Sequence, residues 1–256
     1  MTDAYVVTLD IDWAPDFIID EVAGHLVDKG VKATWFLTHD SPAVRRLLAR
    51  ADLFECALHP NFLPDSTQGT NEREVIGYLR RIIPDTGIMR SHALLQSTPL
   101  LTMLVDRYGI DTDVSLLMPG VAKLAPHLVH FKLGSPPLLR IPYFWEDDLE
   151  MNSPQPCWSL SDSRYHVEGL KIFDFHPIHV YMNNDHMEPY ERLKKIGPLE
   201  TLDRKTVDEF VNRDLAGTQT IFLELLEYIA GTQEQSFTIG GIARLWRDQY
   251  ENSNTR

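Results

Sequence analysis

YVVTLDID (residues 5–12) and ATWFLT (residues 33–38) flank a helical pattern and decide the fold. Both runs are rich in β-branched, aromatic and other apolar residues with little polar alternation, as in parallel strands covered on both faces. Between them, apolar residues recur at helical spacing from Asp16 to a stop at Gly30. The stretch therefore predicts a β–α–β unit with a right-handed crossover.

The same unit recurs along the chain. Helical patterns with caps, such as Ser41 followed by Pro42, separate seven runs of strand composition. These runs cover residues 5–10, 33–38, 53–58, 87–90, 110–114, 138–144 and 171–175. Alternating strands and helices predict a single α/β domain, and seven strands favour an incomplete barrel. No GxGxxG motif follows the first strand, which disfavours a dinucleotide-binding fold.

Three further segments complete the predicted organisation. Residues 146–169 are rich in Pro, Ser and Asp, and are expected to form a non-helical loop over the barrel mouth. Thr206 and Glu209 form a capping-box pattern that predicts the longest helix, reaching Ile229. The domain is expected to cover residues 1–250, followed by a tail at 251–256.

Composition excludes several classes of function. The chain has 256 residues and a formal net charge of −13, which disfavours binding to nucleic acid or acidic lipid. No apolar run approaches the roughly 18 residues of a membrane span, and the N-terminus does not resemble a signal peptide. Cys56 and Cys157 match no CxxC pattern and are expected to be reduced. These features predict a cytoplasmic protein without a membrane span.

Ionisable side chains follow four of the seven predicted strands. These strand ends read Asp10-Ile11-Asp12, His59-Pro60-Asn61, Arg90-Ser91-His92 and His176-Pro177-Ile178-His179. In a (β/α) barrel the carboxyl ends of the strands meet on one face, where catalytic groups are found. The sequence therefore predicts a functional site at this rim.

The rim residues have the composition of a hydrolytic metal site. Two aspartates spaced by two residues face the same side of an extended segment, and they would repel unless a cation lies between them. One can bind a metal while the other acts as a base. With His59 and His92 they form a natural shell for Zn²⁺ with an open position for water. Alternatively, Asp12 caps a turn and the histidines are hydrogen-bonded core residues.

The last strand end offers an acid. His176 directly follows Asp174 and Phe175, so it is favoured as the catalytic acid, with Asp174 as its possible partner. His179 lies three residues further on and is expected to pack or to line the loop. Aromatic residues near the rim, Trp13, Tyr143 and Trp145, are candidate walls for a sugar ring, although buried aromatic residues are commonly core.

Five motifs in this order resemble the polysaccharide deacetylases of the NodB-homology group, carbohydrate esterase family 4. They are TLDID (residues 8–12), ATWFL (33–37), ECALH (55–59), RSH (90–92) and FDFH (173–176). The resemblance covers about residues 5–180 and implies a distorted, TIM-like (β/α)7 barrel. It implies Asp10 as the base, Arg90 as the residue that orients it, and His176 as the acid. It further implies one divalent ion, most simply Zn²⁺, on Asp12 and His59.

The sequence departs from this pattern at one ligand. The family has a second histidine four residues after the first, and this position is Leu63 here. His92 can replace it, and Asn61, otherwise a candidate for binding substrate, is a weaker replacement. His-Pro-Asn-Phe together with His-Pro-Ile-His-Val resembles a branch associated with bacterial surface polysaccharide synthesis.

The resemblance implies a metal-dependent hydrolase that removes an N-acyl, usually N-acetyl, group from an amino sugar. The expected substrate is a nucleotide-linked or lipid-linked sugar used for lipopolysaccharide O-antigen, bound by Trp13, Asn61, Trp145 and His179. Two alternatives stay open. One is a barrel that binds sugar without hydrolysing it, and the other is a metal amidohydrolase acting on a small non-sugar amide.

Overall fold

Nine strands form one sheet in the computed structural model, which describes residues 4–232 and 236–254. The strands are β1 (Ala4–Asp10), β2 (Ala33–Leu37), β3 (Phe54–Leu58), β4 (Ile88–Met89), β5 (Thr112–Asp113), β6 (His127–Val129), β7 (Leu138–Arg140), β8 (Trp145–Glu146) and β9 (Leu170–Phe175). Their order is β6-β7-β5-β4-β3-β2-β1-β9-β8. All neighbouring pairs are parallel except the short β6–β7 pair.

Helices alternate with the strands as far as β5, and most of them pack on the outside of the sheet. They are α1 (Asp16–Lys29), α2 (Pro42–Leu48), α3 (Glu72–Ile82), α4 (Thr98–Tyr108), α5 (Asp147–Met151), α6 (Pro177–Met182), α7 (Glu188–Leu193), α8 (Arg204–Asp208), α9 (Thr218–Gly231) and α10 (Ile239–Asn254). The expected caps are present: Ser41 accepts a hydrogen bond from the amide of Val44, and Gly30 ends α1 in the left-handed region. None of the helices in the described ranges is long and apolar enough to cross a membrane.

The extended segment that contains β7 and β8 pairs with strands near both ends of the curled sheet. Its start, β7, pairs with β5, and its end, β8, pairs with β9. The predicted run 138–144 covers β7 and ends directly before β8, the other six predicted runs overlap β1 to β5 and β9, and β6 is an addition at the edge. The distorted (β/α)7 barrel predicted as a single α/β domain is confirmed.

The core lies in two apolar layers. The larger layer lies between the sheet and the outer helices, and the smaller one contains side chains such as Val6, Phe36 and Ile172. Ile239 and Ile242 of α10 belong to this smaller cluster. Because strands β1 and β9 are buried over almost their whole length, they form a rigid support for the residues at their carboxyl ends.

Two predictions on local structure were wrong. The segment 146–169 is not a plain loop, because it continues β8 directly into helix α5. The long helix predicted from Thr206 to Ile229 is two helices, since Asp203 caps the short α8 and residues 209–217 form a loop around Asn183. Helix α10 extends to Asn254 and so includes most of the predicted tail, while residues 255–256 lie outside the described ranges.

Candidate active site

The carboxyl ends of four parallel strands surround one cavity of about 440 Å³. Asp10 ends β1, His59 follows β3, and His176 follows β9. The cavity is lined by these residues and by Asp12, Trp13, Ser91, His92, Ala93, Leu94, Glu146, Asp148, Met187, Tyr190, Lys194 and Leu199. The rim predicted from the strand ends therefore comes together as one site.

A cluster of one carboxylate and two imidazoles lies on one side of this cavity. Asp12 Oδ1 is 3.1 Å from His59 Nε2 and 3.2 Å from His92 Nδ1. The two imidazole nitrogens are 3.3 Å apart. We call Asp12, His59 and His92 the Asp12 cluster.

The backbone at the Asp12 cluster is held in unusual conformations. Asp12 and Trp13 have φ of 36° and 57°, and Ala93 and Leu94 after His92 both have φ of 51°. A left-handed conformation is costly for residues other than glycine, and it persists where the surrounding structure imposes it. Here the turn after β1 aims Asp12 into the cavity, and the amide of His92 donates to the carbonyl of Pro60.

The Asp12 cluster has the chemistry of a metal site. Asp12 Oδ1 is buried between the two imidazoles without a hydrogen bond of regular geometry to any described residue. Burial raises the pKa of Asp12, but the two adjacent imidazoles outweigh it and hold the pKa well below its usual range. One carboxylate and two imidazole nitrogens form a three-residue donor set that suits Zn²⁺ and leaves a coordination position open.

Asp10 is held by a buried arginine. Arg90 is fully buried and its Nη1 donates to Asp10 Oδ1 at 2.8 Å and also to Asp174 Oδ1. Its guanidinium lies between the rings of Phe36 and Tyr143, 4.4 and 4.5 Å from their centroids. This fixes one oxygen of Asp10 and leaves Oδ2 toward the cavity, 3.5 Å from His59 Nε2.

His176 is held by a residue that the sequence analysis missed. Asp147 Oδ1 lies 2.7 Å from His176 Nδ1, and its Oδ2 accepts the backbone amide of His176 at 2.7 Å. The expected partner, Asp174, is instead paired with Arg90. Burial lowers the pKa of His176, but Asp147 and Asp148 outweigh it and raise the pKa well above its usual value. The other nitrogen, Nε2, lies 3.6 Å from Asp12 Oδ2.

Comparisons with known proteins identify the family of this chain. A family model described as WbmS-like polysaccharide deacetylase matches residues 7–194. The chain belongs to this family. A solved structure from Bordetella bronchiseptica, described as a candidate polysaccharide deacetylase involved in O-antigen biosynthesis (WbmS), is 31% identical and covers 88% of this chain and 90% of its own, with a TM-score of 0.74.

A more distant structure shares only the fold. A candidate polysaccharide deacetylase from Mycobacterium smegmatis is 14% identical, covers 97% of this chain and 91% of its own, and has a TM-score of 0.61. Among curated proteins, none matches the chain significantly in sequence.

The position of the missing family histidine lies outside the cavity. Leu63 is 37% exposed, and the segment from His59 to Leu63 is not helical, so its side chain does not turn back toward His59. His92 approaches from the neighbouring strand end and places its Nδ1 beside Asp12. In this WbmS-like chain the second imidazole beside Asp12 therefore comes from a different loop.

The four residues predicted to bind substrate lie in different places. Trp13 lines the cavity, and its ring contacts that of His92 edge-on at 5.3 Å. Asn61 lines a neighbouring groove of about 570 Å³, which shares Trp13, Lys194 and Leu199 with the cavity. Trp145 is only 4% exposed and packs on Phe173 and Phe175, so the prediction that it forms a wall of the site was wrong. Trp145 begins strand β8 and pairs in register with Phe173, which places its side chain in the core.

His179 lies behind the cavity and supports Asp148. Its Nε2 is 2.9 Å from Asp148 Oδ1, and its ring packs edge-on against Tyr190 at 4.5 Å. We call His176, Asp147, Asp148 and His179 the histidine–aspartate wall. The acidic run Glu146-Asp147-Asp148 begins two residues after the end of the predicted strand 138–144, which is close to the strand-end position that identified the other site residues.

Proposed function

We propose that this WbmS-like protein is a metal-dependent deacetylase that hydrolyses the N-acyl amide, in the simplest case N-acetyl, of an amino sugar. The observation that carries the proposal is the arrangement of three units around one cavity. These are the Asp12 cluster, an aspartate held by Arg90, and a histidine held by Asp147. Together they supply a metal site, a base and an acid, which are the groups that amide hydrolysis requires.

Asp12, His59 and His92 would hold the divalent ion, for which Zn²⁺ fits the donor set. When bound, such an ion polarises an acyl oxygen and lowers the pKa of a water molecule. Asp10 accepts the proton of the attacking water at Oδ2, because Oδ1 is occupied by Arg90.

His176 completes the reaction as the acid. Asp147 keeps its imidazole protonated, so Nε2 carries a proton toward the cavity. As the water oxygen bonds to the acyl carbon and the C–N bond breaks, this proton passes to the leaving nitrogen. The products are a carboxylate and the free amine of the sugar.

The surroundings favour a sugar over the two alternatives. The cavity continues into the groove that contains Trp13, Asn61 and Lys194, and this gives room for a ligand larger than a small amide. The non-catalytic alternative was based on a lost ligand at Leu63, and His92 supplies a third donor atom in its place. We propose O-antigen synthesis as the context, because the Bordetella relative is described in it, with a nucleotide-linked or lipid-linked sugar processed in the cytoplasm.

The test is acetate release by the zinc-loaded protein. UDP-N-acetylglucosamine, N-acetylglucosamine oligomers and small acyl ureas are offered in parallel, and we expect release from the sugars. Asp10→Asn is expected to lower kcat by about 10³-fold at unchanged zinc content, within the range for a lost general base. The surface variant Asp20→Asn is the matched control. Release from none of the sugars, or full activity of Asp10→Asn, would contradict the proposal.

A further inference from the structure

Glu146 lies in the cavity but has no part in the mechanism above. It ends strand β8, where it pairs in register with Asp174 of β9, and its side chain lines the cavity together with Asp10 and His176. The base is held by Arg90 and the acid by Asp147, and the described hydrogen bonds do not join the Glu146 side chain to either of these supports.

The carboxyl of Glu146 is oriented by a buried tyrosine. The hydroxyl of Tyr143 donates to Glu146 Oε2 at 2.8 Å. Tyr143 is fully buried, and its ring packs on the guanidinium of Arg90 at 4.5 Å. One oxygen of Glu146 is thereby fixed by a group that cannot move, while Oε1 has no hydrogen-bond partner among the described residues.

A carboxyl is costly at this position unless something binds it. Burial, together with the neighbouring Asp148 and Asp147, raises the pKa of Glu146 to about 7, although His176 and the hydrogen bond from Tyr143 lower it. Glu146 is half-buried and lines the cavity, so a ligand there can reach Oε1 and replace the water that would otherwise bind it. A carboxyl near its pKa can both accept and donate a hydrogen bond, which matches a hydroxyl group.

We propose that Glu146 is a substrate-binding residue whose Oε1 hydrogen-bonds a ring hydroxyl of the amino sugar and so selects sugars over amides that lack this hydroxyl. The inference rests on the proposed function, since it names the feature by which the same site recognises its substrate. Tyr143 is the positioning residue that aims this carboxyl.

The experiment is a binding cycle on the zinc-loaded full chain. Calorimetry measures the Kd of N-acetylglucosamine and of its 3-deoxy, 4-deoxy and 6-deoxy analogues for the wild type and for Glu146→Ala. We expect Glu146→Ala to bind the parent sugar about tenfold more weakly, the loss of roughly one good hydrogen bond. One deoxy analogue should bind weakly to the wild type and equally weakly to the variant.

Glu146→Gln keeps the shape and most of the hydrogen-bonding capacity, so it should restore most of the affinity. Glu227→Ala, on the exposed side of α9, is the matched control, and thermal unfolding checks that each variant is folded. An equal loss for all four sugars, no loss for any, or no binding of these sugars to the wild type would overturn the inference.

Acetate release from the same samples tests the proposed function separately. Hydroxyl-dependent binding through Glu146 without acetate release would support the recognition role and contradict the hydrolase. Acetate release together with sugar binding that does not depend on Glu146 would support the hydrolase and contradict the recognition role.

Discussion

The two sides of the cavity use histidine in different surroundings. On one side, His59 and His92 of the Asp12 cluster face Asp12, and their far nitrogens contact no carboxylate in the described part of the chain. On the other side, each histidine of the histidine–aspartate wall has its own aspartate: Asp147 for His176 and Asp148 for His179.

This difference separates two chemical roles. A carboxylate that stays beside an imidazole keeps it protonated, whereas a metal ligand must offer a free electron pair. Burial lowers the pKa of His92, and Asp12 outweighs it so that the pKa is raised. Asp12 and His92 would bind the same ion, so Asp12 would no longer favour the protonated form of His92 once the metal is bound. The pKa of His176 is raised mainly by Asp147 and Asp148, which lie outside the Asp12 cluster and would remain.

The largest effect that sharpens this comparison is expected at His176. His176→Ala should lower kcat by about 10²–10³-fold, because the leaving nitrogen loses its proton donor. Asp147→Asn should lower kcat less, by about 10–100-fold. It should also move the alkaline limb of the pH–kcat/KM profile to lower pH, since removing the carboxylate lowers the pKa of His176 and the acid is lost earlier as pH rises.

Initial rates of acetate release between pH 5 and pH 10 measure both the loss in kcat and the shift of the alkaline limb. The exposed Asp40→Asn provides the control for this substitution. If the alkaline limb of Asp147→Asn stays at the wild-type pH, that limb does not report the titration of His176, and the proposed role of His176 as the acid is contradicted.

The smallest effect is expected at Leu63. Leu63→His restores the family pattern in sequence, but the side chain lies outside the cavity. Zinc affinity should therefore be unchanged in Leu63→His and should stay lost in the double variant with His92→Ala. Calorimetric titration with Zn²⁺ measures this, and rescue of His92→Ala by Leu63→His would show that the loop after His59 can turn into the site.

The barrel was predictable because its signals are local and strong. Each of the seven predicted apolar runs overlaps a strand of the sheet, and the first five strands are separated by helices; the two-residue β8 and the antiparallel β6 lie outside the predicted runs. The strand-end rule then brought Asp10, His59 and His176 to one rim, and all three line one cavity. Arg90, from the same rim, is buried beside Asp10.

The partners of these residues depend on tertiary contacts that no local pattern encodes. Both Asp147 and Asp174 lie near His176 in the fold. The fully buried Arg90 binds Asp174, and Asp147 is therefore the partner of His176. Helix α5 has five residues, too few for a helical period to show, so the segment looked like a loop. Trp145 shows the reverse case, since an aromatic residue next to a site residue packs into the core.

The most direct test of the account is the zinc content of four proteins. Wild type, His59→Ala, His92→Ala and His176→Ala are purified without chelator, incubated with Zn²⁺, desalted and measured by mass spectrometry. The account predicts about one equivalent in the wild type and in His176→Ala, and its loss in His59→Ala and His92→Ala. A wild type that stays metal-free, or a His176→Ala variant that loses zinc as His92→Ala does, would contradict the division between the two sides of the cavity.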